Sequence, residues 1–413
     1  LFSRYSTANN EITGEGNLEL RFKKWASFTS ISYSNFGDLG MGDNRNHGFD
    51  TWGKVYEYSN NTNTYYNPNA IQNQNPNIQK NTNFYQADIL QKFVVPFSDN
   101  TEFNLNFQYS TSSNNPRFDN LTEYSGSKLK FAEWYYGPQK RLLISPQLKI
   151  NPDKKLLESG SITLAYQNIK ESRVQRKFSS LDGYYRDENV DVFSLNGDFF
   201  VPLTKDEARI FSYGAELTYN NVDSEAKGKT LEVYNNTVIG FTDEFTIQSR
   251  YPEGGSTYTS AAAYINYRQD ISKKSTLNTG VRFVSTHLTS KWIDTTFITL
   301  PDMDISLNNS AVTATVGYIF KPTVDWQLNC IVSSGFRSPN IDDIGKIREQ
   351  NGEVTVPNIY LKPEYAYNFE TTILKYFNNK QFQAGLNVYY TLLHNYITRD
   401  YFELNGSPTI IYD

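Results

Sequence analysis

Over most of this chain, apolar and polar side chains trade places at every residue. In Phe103-Asn-Leu-Asn-Phe-Gln-Tyr109 the odd positions are apolar or aromatic and the even ones are amides. Tyr213-Gly-Ala-Glu-Leu-Thr-Tyr219, Val312-Thr-Ala-Thr-Val-Gly-Tyr318 and Phe382-Gln-Ala-Gly-Leu-Asn-Val388 repeat the pattern. A period of two places one set of side chains on each face of a sheet. Small and amide residues on one face suit water; the aliphatic and aromatic face suits lipid. Such half-apolar strands keep the mean hydropathy low, here -0.58, so a low value does not argue for a soluble protein. No run of about 18 apolar residues occurs, so no transmembrane helix is expected.

Short polar turns punctuate the strands. Candidates are Phe22–Trp25, Phe97–Asn100, Asn151–Lys154, Leu203–Asp206, Asp270–Lys273, Lys321–Asp325 and Phe377–Lys380. Each pair of membrane strands needs only about 20 residues, so the chain between turns must also hold long loops and strand that continues past the bilayer. Seven turns that each join a pair imply about 14 strands. The reading is an all-β, transmembrane antiparallel β-barrel, with short periplasmic turns at one end and long extracellular loops at the other. Aromatic residues make up 15% of the chain, and rings crowd the turns: Phe22 and Trp25, Phe97 and Phe103, Phe320 and Trp326, Phe377 and Phe382. That is the expected position of amphipathic rings at a headgroup layer. Four stretches read as long polar loops: Asp43–Lys80, Val222–Tyr258, Trp292–Asn309 and Asn340–Leu361. Long loops of this kind are often functional.

Composition excludes some classes. A net charge of -5 and a pI near 5.5 give no footing for nucleic-acid binding. A single cysteine, Cys330, permits no internal disulfide and falls on the apolar register of its strand, as a small hydrophobe would. Leu1 opens in mid-pattern, with no start Met and no signal segment. Thr409-Ile-Ile-Tyr412 reads as a strand beginning. The expectation is one barrel domain over 1–413, part of a longer chain and truncated at both ends.

Several motifs add a resemblance. Phe336-Arg337-Ser338-Pro339 leads into a loop that ends in Pro357-Asn358, Leu361 and Lys362-Pro363-Glu364, followed by Asn368 and Glu370. Pro cannot donate to a ladder, so Pro339 and Pro363 should mark where strands end and begin. Ser32–Gly42, Glu133–Gln139 and Arg250–Ser256 add further motifs. Together they resemble TonB-dependent outer-membrane receptors, in particular a Bacteroidetes-type, haemoglobin/transferrin/lactoferrin-receptor-like branch. The resemblance implies a 22-stranded barrel in the outer membrane of a Gram-negative bacterium. It implies contact with outer-membrane lipid, an N-terminal plug absent from these residues, and the TonB-ExbB-ExbD complex acting through that plug. It also implies a scarce transported ligand, an iron chelate (siderophore) or haem, with no covalently bound cofactor and no enzyme activity. A surface lipoprotein is a further candidate partner. Receptors for haem carry Asn-Pro-Asp-Leu where this chain has Pro357-Asn-Ile-Tyr-Leu361. They also tend to place a His between the two boxes, and none lies between Pro339 and Pro357.

Candidate ligand contacts lie in the loops: Arg45, His47, Tyr56, Tyr65, Tyr66, Arg250 and Tyr251. Tyr and Arg are enriched where binding energy concentrates, although loop self-packing explains the tyrosines equally. His47 is either a haem ligand or a solvated side chain. His287 and His394 fall near outer strand ends, as wet or interfacial residues. Arg337 is read mainly as structural, with Asp342, Asp343 and Glu364 as candidate carboxylate partners. Two alternatives remain: a passive porin or adhesin barrel, and a barrel hydrolase built on His394-Asn395. No Gly-x-Ser-x-Gly elbow supports the hydrolase.

Overall fold

The computed structural model describes residues 1–413 apart from 153–156, 295, 298–299, 301–302, 351–352, 405–406 and 413. One antiparallel sheet of 18 strands dominates it. In chain order these are β1 (Phe2–Ser6), β2 (Glu11–Arg21), β3 (Ala26–Phe36), β4 (Phe84–Ser98), β5 (Thr101–Ser112), β6 (Asn115–Pro116), β7 (Phe131–Tyr136), β8 (Lys140–Ile150) and β9 (Ser159–Lys177). They continue as β10 (Asp182–Pro202), β11 (Arg209–Tyr234), β12 (Thr237–Thr246), β13 (Ser256–Ser272), β14 (Ser275–Lys291), β15 (Asp304–Phe320), β16 (Trp326–Arg337), β17 (Glu364–Phe377) and β18 (Phe382–His394). Fourteen of them, each of 11 residues or more, form the wall as a run of sequential neighbours. This is the antiparallel barrel wall expected from the alternation. β7 and β12 pair with the outer halves of β9 and β11. Among the described residues no helix is long and apolar enough to cross a membrane, which says nothing of strands.

Cross-strand register sorts the side chains into two faces. Val316, Val332, Phe369 and Tyr390 lie opposite one another along one row, and all four are exposed. This is the lipid face; Cys330, between Tyr318 and Thr371, belongs to it. A polar residue on this face, Gln91, has its amide tied to Thr29 Oγ1 at 2.6 Å and Ser27 Oγ at 2.9 Å. In lipid an unsatisfied polar group costs several kcal/mol, about 2–7, so local pairing is required. The other face carries polar ladders. Ser110 Oγ donates to Asp88 at 2.5 Å, Gln147 donates to Thr163 at 2.9 Å, and Arg282 pairs with Glu216 at 3.1 Å.

Two aromatic belts bound the lipid face. Near the short turns Phe22 stacks on Trp25 at 4.4 Å, Phe97 on Phe103 at 5.9 Å and Phe199 on Tyr213 at 5.2 Å. Near the other end lie Tyr33 with Tyr85, Tyr166 with Phe193, and Phe336 with Tyr365. Trp326 and Phe336 mark the two belts on β16. Ten residues span about 33 Å of strand, or about 25 Å of height at ~40° tilt, which matches a bilayer's apolar band. Beyond the upper belt the outward row of β10 turns from Phe193 to Asp191. That carboxylate accepts from Tyr166 Oη at 2.7 Å and Asn168 Nδ2 at 2.8 Å. The strand has left the lipid there, and β9 to β11 continue into water.

The connections at the lower end are short, as the turn signals predict. Asn378 and Asn379 adopt φ of 48° and 52°, a left-handed conformation that asparagine tolerates better than most residues. Of the turn read at Asn151–Lys154, residues 153 and 154 lie outside the described residues. Two expected loops are corrected. Val222–Tyr258 is not structureless: β11 runs through to Tyr234, and Asn235-Asn236, at φ 48° and 62°, turns it into β12. Both central residues of such a tight hairpin need positive φ, which explains the asparagine pair. Asn340–Leu361 is not a polar loop either; it folds inward around an apolar cluster described below. The topology predicts a labelling result. A membrane-impermeant thiol reagent on whole cells, in a Cys330→Ser background, should modify Asn235→Cys and spare Asp99→Cys; the reverse would invert the barrel.

Candidate functional site

Residues of β10, β11, β13 to β16 and the segment after β16 line an open cavity of about 710 Å3 at the upper end of the barrel. Its wall is mostly apolar, with Val190, Val222, Val284 and Tyr258 among the lining groups. Glu188 and Arg282 bring charge from the wall, Arg337 and Asp342 bring it from the rim, and Tyr251 adds a neutral phenol there. Size and lining fall within the range of small-ligand sites.

The rim is fixed by the Phe336–Pro339 box. Phe336 faces outward against Tyr365, with ring centroids 5.5 Å apart. Arg337, next along, must then face inward. Its guanidinium donates to Asp343 at 2.6 Å and to Glu364 at 2.8 Å. Of the three expected partners, it pairs with Asp343 and Glu364 and not with Asp342. Asp342 instead accepts from Tyr251 Oη at 2.6 Å and Lys346 Nζ at 3.0 Å, with Arg250 3.7 Å away. Burial pushes the Asp342 carboxyl up, but the Tyr251 and Lys346 hydrogen bonds override this and hold it below its ordinary value. Burial first, and the Asp342 carboxylate second, push the Tyr251 phenol far above its ordinary value, so it stays a donor. Ser338 is buried and its hydroxyl bridges Thr286 Oγ1, at 2.9 Å, and Asn309 Nδ2, at 3.1 Å. Pro339 is fully buried. The box therefore turns the chain inward and pins it to the wall.

Past the pin, Asn340 caps the short helix α1 (Ile341–Ile344) in a reciprocal capping box with Asp343. Ile344, Ile347, Val356 and Leu361 then pack on Leu288, Trp292, Leu300 and Ile305 of the wall side. Pro357 and Asn358 lie within this inward segment, and Lys362-Pro363 leads into β17 at Glu364. Glu364 also accepts the Ile397 backbone N–H at 2.8 Å. Two expected ligand contacts, Arg250 and Tyr251, thus share the cavity region with the Phe336–Pro339 box.

The other expected contacts lie elsewhere, in the loop 37–83. Arg45 donates to Asn77 Oδ1 at 2.7 Å within that loop. The ring of His47 lies 5.7 Å from Phe49 and 5.6 Å from Trp52, and its Nδ1 accepts the Phe49 N–H at 3.1 Å. Tyr56 is exposed and its carbonyl accepts from Asn73. Tyr65 bridges to Thr237, and the Tyr66 N–H donates to the Asn236 carbonyl at 2.8 Å. The loop therefore reaches the Asn235-Asn236 hairpin. Arg176, 1% exposed, anchors it: Nε donates to Glu133 at 2.7 Å, Nη2 to Asn61 at 2.8 Å, and the guanidinium lies 5.2 Å from the Tyr66 ring. His287 bonds Asn308 at 2.6 Å, and His394 closes β18; neither lines the cavity. Among the described residues no group of three or more His, Cys, Asp or Glu could hold a metal ion.

Sequence reasoning passed over Glu188, Arg173, Arg176 and Arg282. For Glu188 and Arg173 the available signal was excess strand: charged residues on the inner register, beyond the roughly ten residues that cross the bilayer.

A wall of paired faces, two aromatic belts and an open upper cavity define a membrane-spanning β-barrel. Residues 27–409 match the family described as TonB dependent receptor-like, beta-barrel, and the chain belongs to that family. No curated protein sequence matches it closely enough to count as a relative. Among solved structures it resembles the hemophore receptor HasR of Serratia marcescens, at 13% identity and a TM-score of 0.69, covering 99% of this chain and 58% of that one. It also resembles the copper transporter OprC, at 10% identity and a TM-score of 0.66, covering 98% and 54%. The siderophore receptor PiuA of Acinetobacter baumannii aligns at 13% identity and a TM-score of 0.62, covering 99% and 58%. At these identities the likeness concerns the fold. The chain spans under three fifths of the length of these structures.

Proposed function

We propose that this chain, as the 1–413 barrel domain, forms the wall and outer vestibule of an active importer for an iron chelate or haem. The observation that carries the reading is the open, largely apolar cavity at the water-exposed upper end of a family-matched barrel. Structural neighbours described as a hemophore receptor in complex with its hemophore and heme, and as a siderophore receptor, support that ligand class. Ligand binds at the outer face, an N-terminal plug closes the lumen, and TonB-ExbB-ExbD supplies the energy. Assignment to the Bacteroidetes, haemoglobin/transferrin/lactoferrin-receptor-like branch belongs to this proposal and rests on the quoted boxes; so does a surface lipoprotein partner.

Transport kinetics separate this reading from a passive porin. In a strain with this receptor as its sole route, uptake of radioiron-labelled chelate or haem should saturate at low concentration. It should fall to background when an uncoupler collapses the proton gradient. Uptake that stays linear with concentration and ignores the uncoupler would assign the barrel to the passive class.

A further inference from the structure

At the edge of the cavity lie buried polar atoms that the chain itself leaves unsatisfied. Glu188 is 8% exposed, lines the cavity, and has no hydrogen-bond partner at either carboxylate oxygen. Arg173 Nη1 lies 3.4 Å from Glu188 Oε1, close enough for attraction but not aligned as a hydrogen bond. The other arm of Arg173 is engaged, with Nη2 at 2.5 Å from Glu171. Ser224, directly opposite Glu188 in the ladder and 3% exposed, has an unpartnered hydroxyl as well. Buried polar groups are nearly always paired, and leaving one unpaired costs about 1–3 kcal/mol. Of three such neighbouring groups, Glu188 lines the cavity beside Val190 and Val222, and Arg173 and Ser224 lie next to it.

The chemistry of these atoms selects the group that fits. Arg173 Nη1 can only donate, and the Glu188 carboxylate can only accept. A ligand carboxylate satisfies the arginine and repels the glutamate. An ammonium satisfies the glutamate and leaves the arginine N–H without an acceptor, beside a cation already in place. A hydroxyl accepts from one and donates to the other. Burial also pushes the Glu188 carboxyl above its ordinary value, although Arg173 opposes this.

We propose that Glu188, Arg173 and Ser224 form a subsite for a hydroxyl group carried on an apolar body, which rests against Val190, Val222 and Tyr258. The subsite deepens the importer reading and rests on it for its place in transport, but its chemistry is testable without transport. It sets hydroxylated ligands apart from those whose polar ends are carboxylates, such as haem.

The test uses the full-length receptor in lipid nanodiscs, with empty nanodiscs subtracted, and calorimetric titration of 1-phenyl-1,2-ethanediol, its dimethyl ether and phenethylamine. The diol should bind about 10- to 100-fold tighter than the ether, the range that one unpaired buried group produces. Glu188→Leu should level the two, and Ser224→Ala, a milder change, should narrow the gap. Equal affinity for diol and ether in the unaltered protein overturns the proposal, as does an amine that binds tightest. Uncoupler-sensitive uptake without the diol preference would sink the subsite and leave the importer. The preference without energised uptake would do the opposite.

Discussion

Replacing Arg176 with Met should loosen the loop 37–83 and destabilise the upper wall by about 3–5 kcal/mol, the range for breaking a buried ion pair from one side. Glu133 is 7% exposed and Arg176 is its ion-pair partner. Burial already raises the Glu133 carboxyl, with Arg176 as the opposing influence. Without the guanidinium the charged form is left buried and unpaired. The deficit should therefore be largest at neutral pH and shrink as the pH falls through the raised pKa, where the neutral acid takes over. Hydrogen exchange provides the readout: amides of the loop, including Tyr66, should lose protection while those of β3 and β4 keep theirs. The double variant Glu133→Leu/Arg176→Met separates two roles of the arginine. Pairing two apolar residues should restore most of the stability, because replacing both members of a buried pair is often neutral. It should not restore loop protection, since the bond to Asn61 and the contact with Tyr66 are also gone. Unchanged exchange in the single variant would mean that the loop is held by its remaining contacts, such as the Tyr66–Asn236 backbone bond.

The parts of the fold that were legible beforehand obey local rules. Alternation reports on two solvents, so it is strongest inside the bilayer, and the strands there were found with their turns. Pro363 is followed at once by a strand, and Asn378-Asn379 turns the last hairpin, because each is a constraint of one or two residues. Outside the bilayer both faces of a strand meet water. From Asp223 to Lys229 every second residue is charged on one face, while the other face carries Ser224, Ala226 and Gly228, so β11 read as a loop. The segment after Pro339 was misread for another reason. Ile341, Ile344, Ile347, Val356 and Leu361 follow no period of two, yet most of them are buried against the wall. The site itself was the least legible part. Glu188 meets Arg173 and Ser224 through the registers of β9, β10 and β11, and a register is a property of three strands together. Arg250 and Tyr251 could be named because loop arginines and tyrosines are common contacts. Their link to Asp342, 91 residues along the chain in the case of Tyr251, could not.

A charge placed at Ile344 should unseat the inward segment and the cavity rim with it. Ile344 is 0% exposed, inside the cluster shared by Leu288, Trp292, Ile305 and Leu361. Ile344→Val trims one methylene and should cost only about 0.5–1.5 kcal/mol. Ile344→Asp removes the same contacts as a truncation to Ala, about 2–5 kcal/mol, and adds the penalty of an unpaired carboxylate in an apolar cluster. The Arg337 pairs, the Ser338 pin and the Asp342 contacts all lie at its start, and beyond α1 the cluster is its main side-chain anchor, beside the Ile347 N–H bond to the Arg250 carbonyl at 3.1 Å and the pairing of Thr355 and Val356 with Ile410 and Ile411. The chain beyond α1 should therefore swing away, and Trp292, 2% exposed in the intact protein, should become accessible to collisional quenching. The barrel should survive, because the ladders that pair β13 to β16 do not pass through this segment. Heat-resistant migration on gels would report an intact wall, and the fluorescence would report the lost packing. Since Ile341 and Asp342 line the cavity, ligand affinity should fall in step with Trp292 exposure. If quenching rises and affinity holds, the rim does not contribute to binding and the wall residues alone define the site.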